Sequence, residues 1–204
     1  MAFELYRQAA QRITRLALIN TNARPDTEQG LEIKRQQLQL AKLSGAQVIT
    51  TVSSDQKASI AAAAGADHVV NYRTEDTAQR VMEITGGRGV DHIVEVDFAG
   101  NFGVSREVLR GNGVLAVYAA GTASQPPVPL QFKSTNINLR MVLVYDMPEA
   151  AKDAAVADIT RLVQQGKLTH LLGTRFPLDA TAEAHRAVEG GAIGNVTLDV
   201  ADPG

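Results

Sequence analysis

The feature that most constrains this chain is the alternation of short apolar runs with longer helical stretches. Runs typical of strands recur at Arg15–Asn20, Gln47–Val52, His68–Asn71, Asp91–Val96, Val114–Ala119, Asn138–Tyr145 and Asn195–Val200. Because the links are short, the strands must be parallel and joined by right-handed crossovers. The sequence therefore predicts an α/β fold in which helices cover both faces of a doubly wound parallel sheet, giving three layers.

Helices are expected between these strands and after the sixth, each with a recognisable start or stop. Their predicted extents are Asp26 to Leu43, a capping box at Ser53 and Gln56 running to Gly65, Asp76 to Gly86, Glu149 to Gln165, and Ala180 to Glu189. The stretch Thr122–Pro129 is a proline-broken loop.

Composition limits the class of protein. A chain of 204 residues suits one substantial core, so residues 1–204 are expected to form a single domain. The net charge of −2 provides no field that would concentrate nucleic acid or anionic lipid. The absence of cysteine excludes disulfides, thiolate zinc sites and thiol nucleophiles. Neither a signal-like start nor a membrane-length apolar run is found, which predicts a cytoplasmic protein without a membrane partner.

The residues that follow each strand are the informative ones, because ligands of open parallel sheets bind beyond the carboxyl ends of the strands. After the first strand, a glycine-rich phosphate turn is replaced by TNARPDTEQGLEIK, which keeps only Gly30. Asp26, Glu28 and Glu32 place negative charge where a phosphate would bind. An ordinary acidic first turn that complements the helix dipole is the simpler explanation of this pattern.

The second strand is followed by Ser53, Ser54 and Lys57, which offer two hydroxyls and an ammonium group to an anion. Hydroxyls with a cation favour the 2′-phosphate of NADP, whereas an acidic residue would favour the ribose of NAD. Asp55 opposes this assignment. The alternative is a helix cap followed by a solvated lysine.

Aromatic and small residues follow the next three strands. They are Tyr72 with Arg73, then Phe98 with Ala99 and Gly100, and finally Tyr118 with Ala119. Tyr72 and Arg73 add a ring and a second cation beside the end of the second strand, although a plain turn has the same residues. The small residues of the other two groups leave room for a ligand, and each of these groups is equally consistent with a plain turn. The four histidines are widely spaced, so no metal site is expected.

From about Leu40 onward the sequence resembles the nucleotide-binding, Rossmann-like part of zinc-independent quinone oxidoreductases in the medium-chain dehydrogenase/reductase superfamily. The resemblance rests on ordered matches throughout this region: Leu40-Ala41-Lys42, Gly45-Ala46, Ser53-Ser54 with Lys57, Ala64-Gly65-Ala66-Asp67, Asn71-Tyr72-Arg73, Thr85 to Asp91, Tyr118 to Gly121, and Gly194-Asn195-Val196.

The resemblance implies an NADPH-dependent oxidoreductase that transfers hydride directly to a quinone or an enone. It implies that Ser53, Ser54, Lys57 and Tyr72 meet the adenosine 2′-phosphate. It further implies that Phe98, Ala99, Tyr118 and Ala119 line the path to the nicotinamide, and that Asn195 closes that end. A homodimer through the edge strand Asn138–Tyr145 is expected as well. The resemblance identifies no catalytic side chain.

The chain departs from the family in two ways. EQGLEIK, at Glu28–Lys34, stands where the family has its glycine-rich turn, and only Met1–Thr14 precede the first strand. We therefore expect a truncated or impaired oxidoreductase, with residues 1–14 as an extension. Residues 175–204 form a tail that would normally pack on a substrate domain, and the strand Asn195–Val200 is expected to lack its usual partner sheet. The alternative is a non-catalytic oligomerisation or regulatory module without cofactor.

Overall fold

A parallel six-stranded sheet is the centre of the computed structural model, which describes residues 15–19, 38–39, 41–119, 135–168, 172–190, 192 and 195–200. Its strands are β1 (Arg15–Ile19), β2 (Gln47–Val52), β3 (His68–Asn71), β4 (Val90–Glu95), β5 (Leu109–Val117) and β6 (Asn138–Met141). They are ordered β3-β2-β1-β4-β5-β6. The chain order reverses at β1, which pairs with β2 on one side and with β4 on the other. The predicted doubly wound sheet is confirmed.

Helices pack on both faces of this sheet. Those with both ends in the described segments are α1 (Asp55–Ala63), α2 (Thr77–Ile84), α3 (Phe98–Val108), α4 (Glu149–Gln164) and α5 (Thr181–Glu189). Successive strand residues point to opposite faces. Val48 and Val94 accordingly join a buried cluster with α1 and α4, whereas Ile49 and Ile93 join one with α2 and α3. The three layers are therefore confirmed.

Several boundaries differ from the predictions. Ser54, rather than Ser53, caps α1, because its Oγ accepts a hydrogen bond from the Lys57 N–H at 3.4 Å. β5 begins at Leu109 instead of Val114, since an irregularity in its pairing with β4 accommodates the extra residues. The predicted strand Asn138–Tyr145 ends at Met141 and gives way to a 3₁₀ turn at Val144–Asp146.

A second, two-stranded sheet contains the tail strand, whose expected loss of its usual partner sheet stays a prediction. Strand β8 (Asn195–Asp199) pairs in parallel with β7 (Leu172–Pro177). Arg175 and Asp199 form an ion pair across the two strands, with 2.5 Å between Nη2 and Oδ1. β7 escaped prediction because its sequence, LGTRFP, contains glycine and proline, which are depleted in strands.

The predicted helix from Asp26 to Leu43 lies mostly outside the described residues. Residues 38–39 and 41–43 are helical, as expected. The acidic window Glu28–Lys34, where the phosphate turn would stand, also lies outside them, as do residues 1–14.

Candidate functional site

The carboxyl ends of the parallel strands meet at one edge of the large sheet, which we call the carboxyl edge. Eight of the nine predicted site residues follow strands that end there: Ser53, Ser54, Lys57, Tyr72, Phe98, Ala99, Tyr118 and Ala119. Ligands of such sheets bind at the point where the strand order reverses, here between β1 and its neighbours β2 and β4. Asn195 instead begins β8 in the two-stranded sheet.

The end of β2 presents hydroxyl groups and a cation. Ser53, Ser54 and Lys57 are half-buried, so they are partly accessible and partly held by their surroundings. The Tyr72 N–H donates to the Val52 carbonyl at 3.1 Å, which places the loop after β3 beside the end of β2. The structure thus brings the four residues predicted for a 2′-phosphate to two neighbouring strand ends.

The end of β4 carries a buried carboxylate that the sequence analysis missed. The Glu95 side chain is completely buried, and its Oε1 accepts hydrogen bonds from the Val96 N–H at 2.8 Å and the Asp97 N–H at 2.7 Å. Oε1 also accepts from Asn101 Nδ2 at 2.8 Å, and Oε2 accepts from the Ser105 hydroxyl at 3.0 Å. Burial raises the pKa of Glu95, and the four hydrogen bonds oppose that rise.

A signal for this network was present in the sequence. Asn101 and Ser105 are four residues apart, which places them on the same face of a helix, directly after the strand that contains Glu95. A carboxylate within the apolar run of β4, followed by two polar residues at helical spacing, indicates a buried polar contact between strand and helix.

A second carboxylate caps α3 at the same strand end. Asp97 Oδ1 accepts a hydrogen bond from the Gly100 N–H at 3.2 Å. A Cβ atom at position 100 would lie 2.7 Å from Asp97 Oδ2, so a larger residue there would displace the capping carboxylate. The ring of Phe98 is buried and meets that of Phe102 edge to face, with 5.3 Å between centroids. Phe98 can therefore reach a ligand only through its backbone, and its role stays a prediction.

An apolar cavity of about 290 Å³ lies at the ends of β5 and β6. Its lining residues are Val117, Tyr118, Ala119, Met141, Val142 and Leu143. The Val142 N–H donates to the Val117 carbonyl at 2.8 Å, which holds the two strand ends together. Met141 and Leu143 were missed because the sequence analysis treated this segment only as an edge strand.

The other cavity of interest lies in the tail. It measures about 160 Å³ and is formed by one face of α5 and by β8, with Thr181, Ala184, His185, Val188, Val196 and Leu198 as its lining. Asn195 precedes this lining by one residue. The structure therefore groups Asn195 with the tail unit, and its predicted contact with the nicotinamide end stays a prediction.

Metal ligands and membrane-spanning helices are both absent from the described segments. No group of three or more His, Cys, Asp or Glu side chains lies close enough there to hold a metal ion. Among the helices of those segments, none has both the length and the hydrophobicity needed to cross a bilayer.

Comparison with known proteins identifies the family. The family model described as zinc-binding dehydrogenase matches residues 37–161, more than half of the chain. A 2-haloacrylate reductase from a Burkholderia species is 32% identical over 164 residues, which cover 78% of this chain and 49% of that protein. The chain spans about half the length of the curated relatives it matches most fully.

Solved structures show the same fold. A mycobacterial quinone oxidoreductase superposes with a TM-score of 0.78 and 28% identity, covering 96% of this chain and 60% of that one. A mycobacterial protein solved in complex with NADPH superposes with a TM-score of 0.73 and 26% identity, covering 97% and 60% of the two chains. Because nearly all of this chain is covered in both, the likeness extends well beyond the residues that the family model matches.

Proposed function

The chain belongs to the zinc-binding dehydrogenase family, where it is similar to the zinc-independent quinone oxidoreductases of the medium-chain dehydrogenases/reductases, and on this premise we propose that it binds NADPH at the carboxyl edge. The observation that supports the cofactor is the set of donors at the ends of β2 and β3. Ser53, Ser54 and Lys57 supply the hydroxyls and positive charge that suit a phosphate. No carboxylate ends β2, although one would suit a free ribose diol.

The remaining site residues fit the other half of the cofactor. In this proposal Ala99 and the backbone of Phe98 border its path, and Tyr118 and Ala119 open into the apolar cavity between β5 and β6. Such an apolar lining suits the uncharged, planar dihydronicotinamide ring. Asn195 would close this end from the tail.

The proposed reaction is direct hydride transfer to a quinone or an enone. NADPH supplies the hydride when bound, and the residues of this chain contribute binding and orientation. We assign no side chain to proton transfer. The apolar lining formed by Val117, Met141 and Leu143 favours an uncharged ring as the second substrate.

Domain organisation and partners belong to the same proposal. Residues 1–204 act as one nucleotide-binding unit in the cytoplasm, with 175–204 as a tail of the kind that normally packs on a substrate domain. β6 is an edge strand whose four residues are all exposed, so two copies can pair there and form a homodimer. A molar mass that stays at one chain over a hundred-fold or so range of concentration would contradict the dimer.

Titration of the full chain with NADPH and with NADH, followed by nucleotide fluorescence or calorimetry, tests the proposal. We expect binding of NADPH in the millimolar range or tighter, with NADH weaker. A chain that binds neither nucleotide would not be an oxidoreductase of this type.

A second candidate function is supported by the acidic residues Asp26, Glu28 and Glu32 in the window of the phosphate turn. They favour a non-catalytic oligomerisation or regulatory module that keeps the sheet without the cofactor. This candidate predicts a folded protein whose melting temperature does not change when either nucleotide is added.

A further inference from the structure

Glu95 occupies a special place in the sheet. It is the last residue of β4, the strand that neighbours β1 on one side of the point where the strand order reverses. Among the described residues it is the most deeply buried carboxylate, with none of its surface exposed. Its side chain therefore cannot contact a ligand directly, and any influence on the carboxyl edge must pass through its partners.

Those partners connect three segments at the carboxyl edge. Val96 and Asp97, whose N–H groups donate to Oε1, form the link between β4 and α3. Asn101 and Ser105 anchor the inner face of α3 to the same carboxylate. The Glu95 carbonyl also accepts a hydrogen bond from the Tyr118 N–H at 3.2 Å, which ties in the end of β5.

A buried carboxylate adds little to the stability of a fold, because apolar packing of the same volume is often at least as stabilising. Its hydrogen bonds, unlike apolar contacts, constrain the directions of the groups that donate to it. Four donors converge on two oxygen atoms, so the link and the first turns of α3 have one arrangement that satisfies them all. The backbone at Val96 and Asp97 is thereby fixed at the edge where the ligand passes.

We infer that Glu95 is a positioning residue, which fixes the link between β4 and α3 at the carboxyl edge. Binding of the nicotinamide half of the cofactor depends on this link, whereas binding of the adenosine half depends on the end of β2. The inference rests on the proposed function. It predicts that loss of the Glu95 network weakens binding of the whole dinucleotide but not of its adenosine end.

The test compares two ligands on the full chain: NADPH and adenosine 2′,5′-bisphosphate, which contains only the adenosine end. Glu95→Ala should weaken NADPH by about ten-fold or more, as expected from losing well-ordered polar contacts, and leave the bisphosphate within about two-fold of wild type. Asn101→Ala removes one donor and should weaken NADPH by about three-fold. Glu95→Gln should restore binding, because its Oε1 can accept the same three donors and its amide can donate to Ser105.

Val81→Ala provides the matched control. Val81 is fully buried in α2, in the apolar cluster that also contains Phe98 and Phe102, so its truncation destabilises the fold while the four hydrogen-bond donors to Glu95 are kept. Its ratio of the two affinities should equal that of wild type. If Glu95→Ala does not fold, Asn101→Ala and Glu95→Gln carry the comparison.

Three results would overturn the inference: equal losses for both ligands in the Glu95 and Asn101 variants, no loss for either ligand, or the same selective loss in Val81→Ala. Failure of the proposed function looks different, because the wild-type chain would then bind neither ligand. That result would remove the inference together with the function on which it rests.

Discussion

The ends of β2 and β4 flank β1 at the same edge of the sheet, and each leads into a helix that is capped in the same way. Ser54 accepts from the third N–H group of α1, and Asp97 accepts from the third N–H group of α3. The two caps differ in charge. The β2 end has a neutral hydroxyl beside Lys57, whereas the β4 end has Asp97 and the buried Glu95.

This difference shows how one fold can assign different ligand chemistry to equivalent positions. The amino end of a helix favours negative charge. The neutral cap at α1 leaves that preference available to a phosphate, whereas Asp55 in the first turn of the same helix opposes it. At α3 the two carboxylates already satisfy the preference for negative charge, so the carboxyl edge beside β4 suits an uncharged or cationic part of a ligand. Under the proposed function, the charge of the cap residue distinguishes the strand end that receives the adenosine phosphate from the one that receives the nicotinamide.

The largest expected effect concerns the stability of the β4 end. Glu95→Ala leaves two backbone N–H groups, the Asn101 amide and the Ser105 hydroxyl without their acceptor, so we expect a loss of about 3 to 4 kcal/mol in the free energy of unfolding. Urea denaturation monitored by circular dichroism measures it. A loss under about 1 kcal/mol would mean that water replaces the carboxylate and that the two strand ends differ less than the structure indicates.

Charge at the β2 end gives the next effect. Lys57→Ala should weaken NADPH more than NADH by about 1 to 3 kcal/mol, because only NADPH carries the 2′-phosphate that the ammonium would bind. Calorimetric titration of both nucleotides measures the difference. Lys152→Ala, which removes an ion pair with Glu149 on α4, is the control and should change neither affinity. Equal losses for both nucleotides in Lys57→Ala would remove the assignment of the 2′-phosphate.

Ionisation of Glu95 makes the stability of the β4 end depend on pH, which distinguishes it further from the β2 end. Burial raises its pKa above the ordinary value of 4.5, so the folded chain holds this proton more tightly than the unfolded chain does. Its contribution to stability is complete below pH 4.5 and declines as the pH rises through the folded-state pKa. Glu95→Gln cannot ionise, and we expect it to gain stability relative to wild type as the pH rises from 4.5 to neutral.

Asp67 provides a control of opposite sign. Burial raises its pKa, but hydrogen bonds from Lys42 and the Val48 N–H, with the charges of Lys42 and His68, outweigh burial and lower the pKa below 3.8. Asp67→Asn should be less stable than wild type at neutral pH, and the deficit should vanish as the pH falls through the folded-state pKa. Parallel pH profiles for the two variants would contradict both assignments.

The smallest effect concerns the cap of α1. Ser54→Ala should lower the free energy of unfolding by about 0.5 to 1 kcal/mol, since the Lys57 N–H loses its acceptor. Ser54→Asp keeps an acceptor and makes the β2 end resemble the β4 end, so it should retain stability and weaken NADPH. Thermal unfolding and nucleotide titration measure the two effects. Unchanged NADPH affinity in Ser54→Asp would show that the charge of the cap does not select the ligand.

The sequence predicted the sheet well where local signals agree. β2 and β3 match their predicted bounds because QVITTV and HVVN are rich in β-branched residues and end at turn formers. β7 was missed because its pairing with β8, rather than its composition, makes it a strand. The acidic window at Glu28–Lys34 lies outside the described residues.

The candidate site likewise contains some residues that the local sequence predicts and others that it does not. Ser53, Ser54 and Lys57 are close together in the sequence, so their shared chemistry is recognisable from local residue order alone. The Glu95 network depends on how α3 packs against β4, and the cavity at Met141 and Leu143 depends on the pairing of β5 with β6. Contacts of this kind are set by tertiary structure, which local propensities do not contain.

The central position of β1 has a consequence for how fast the chain folds. Leu16 pairs with Val48 on one side and with His92 on the other, so the middle of the sheet joins segments that are far apart along the chain. Closing long loops before any pairing energy is gained makes such topologies slow. Until β1 is in place, β2 and β4 each keep an unpaired edge. We therefore expect the yield of refolded protein to fall as its concentration rises, because the unpaired edges of β2 and β4 in one chain can pair with those of another.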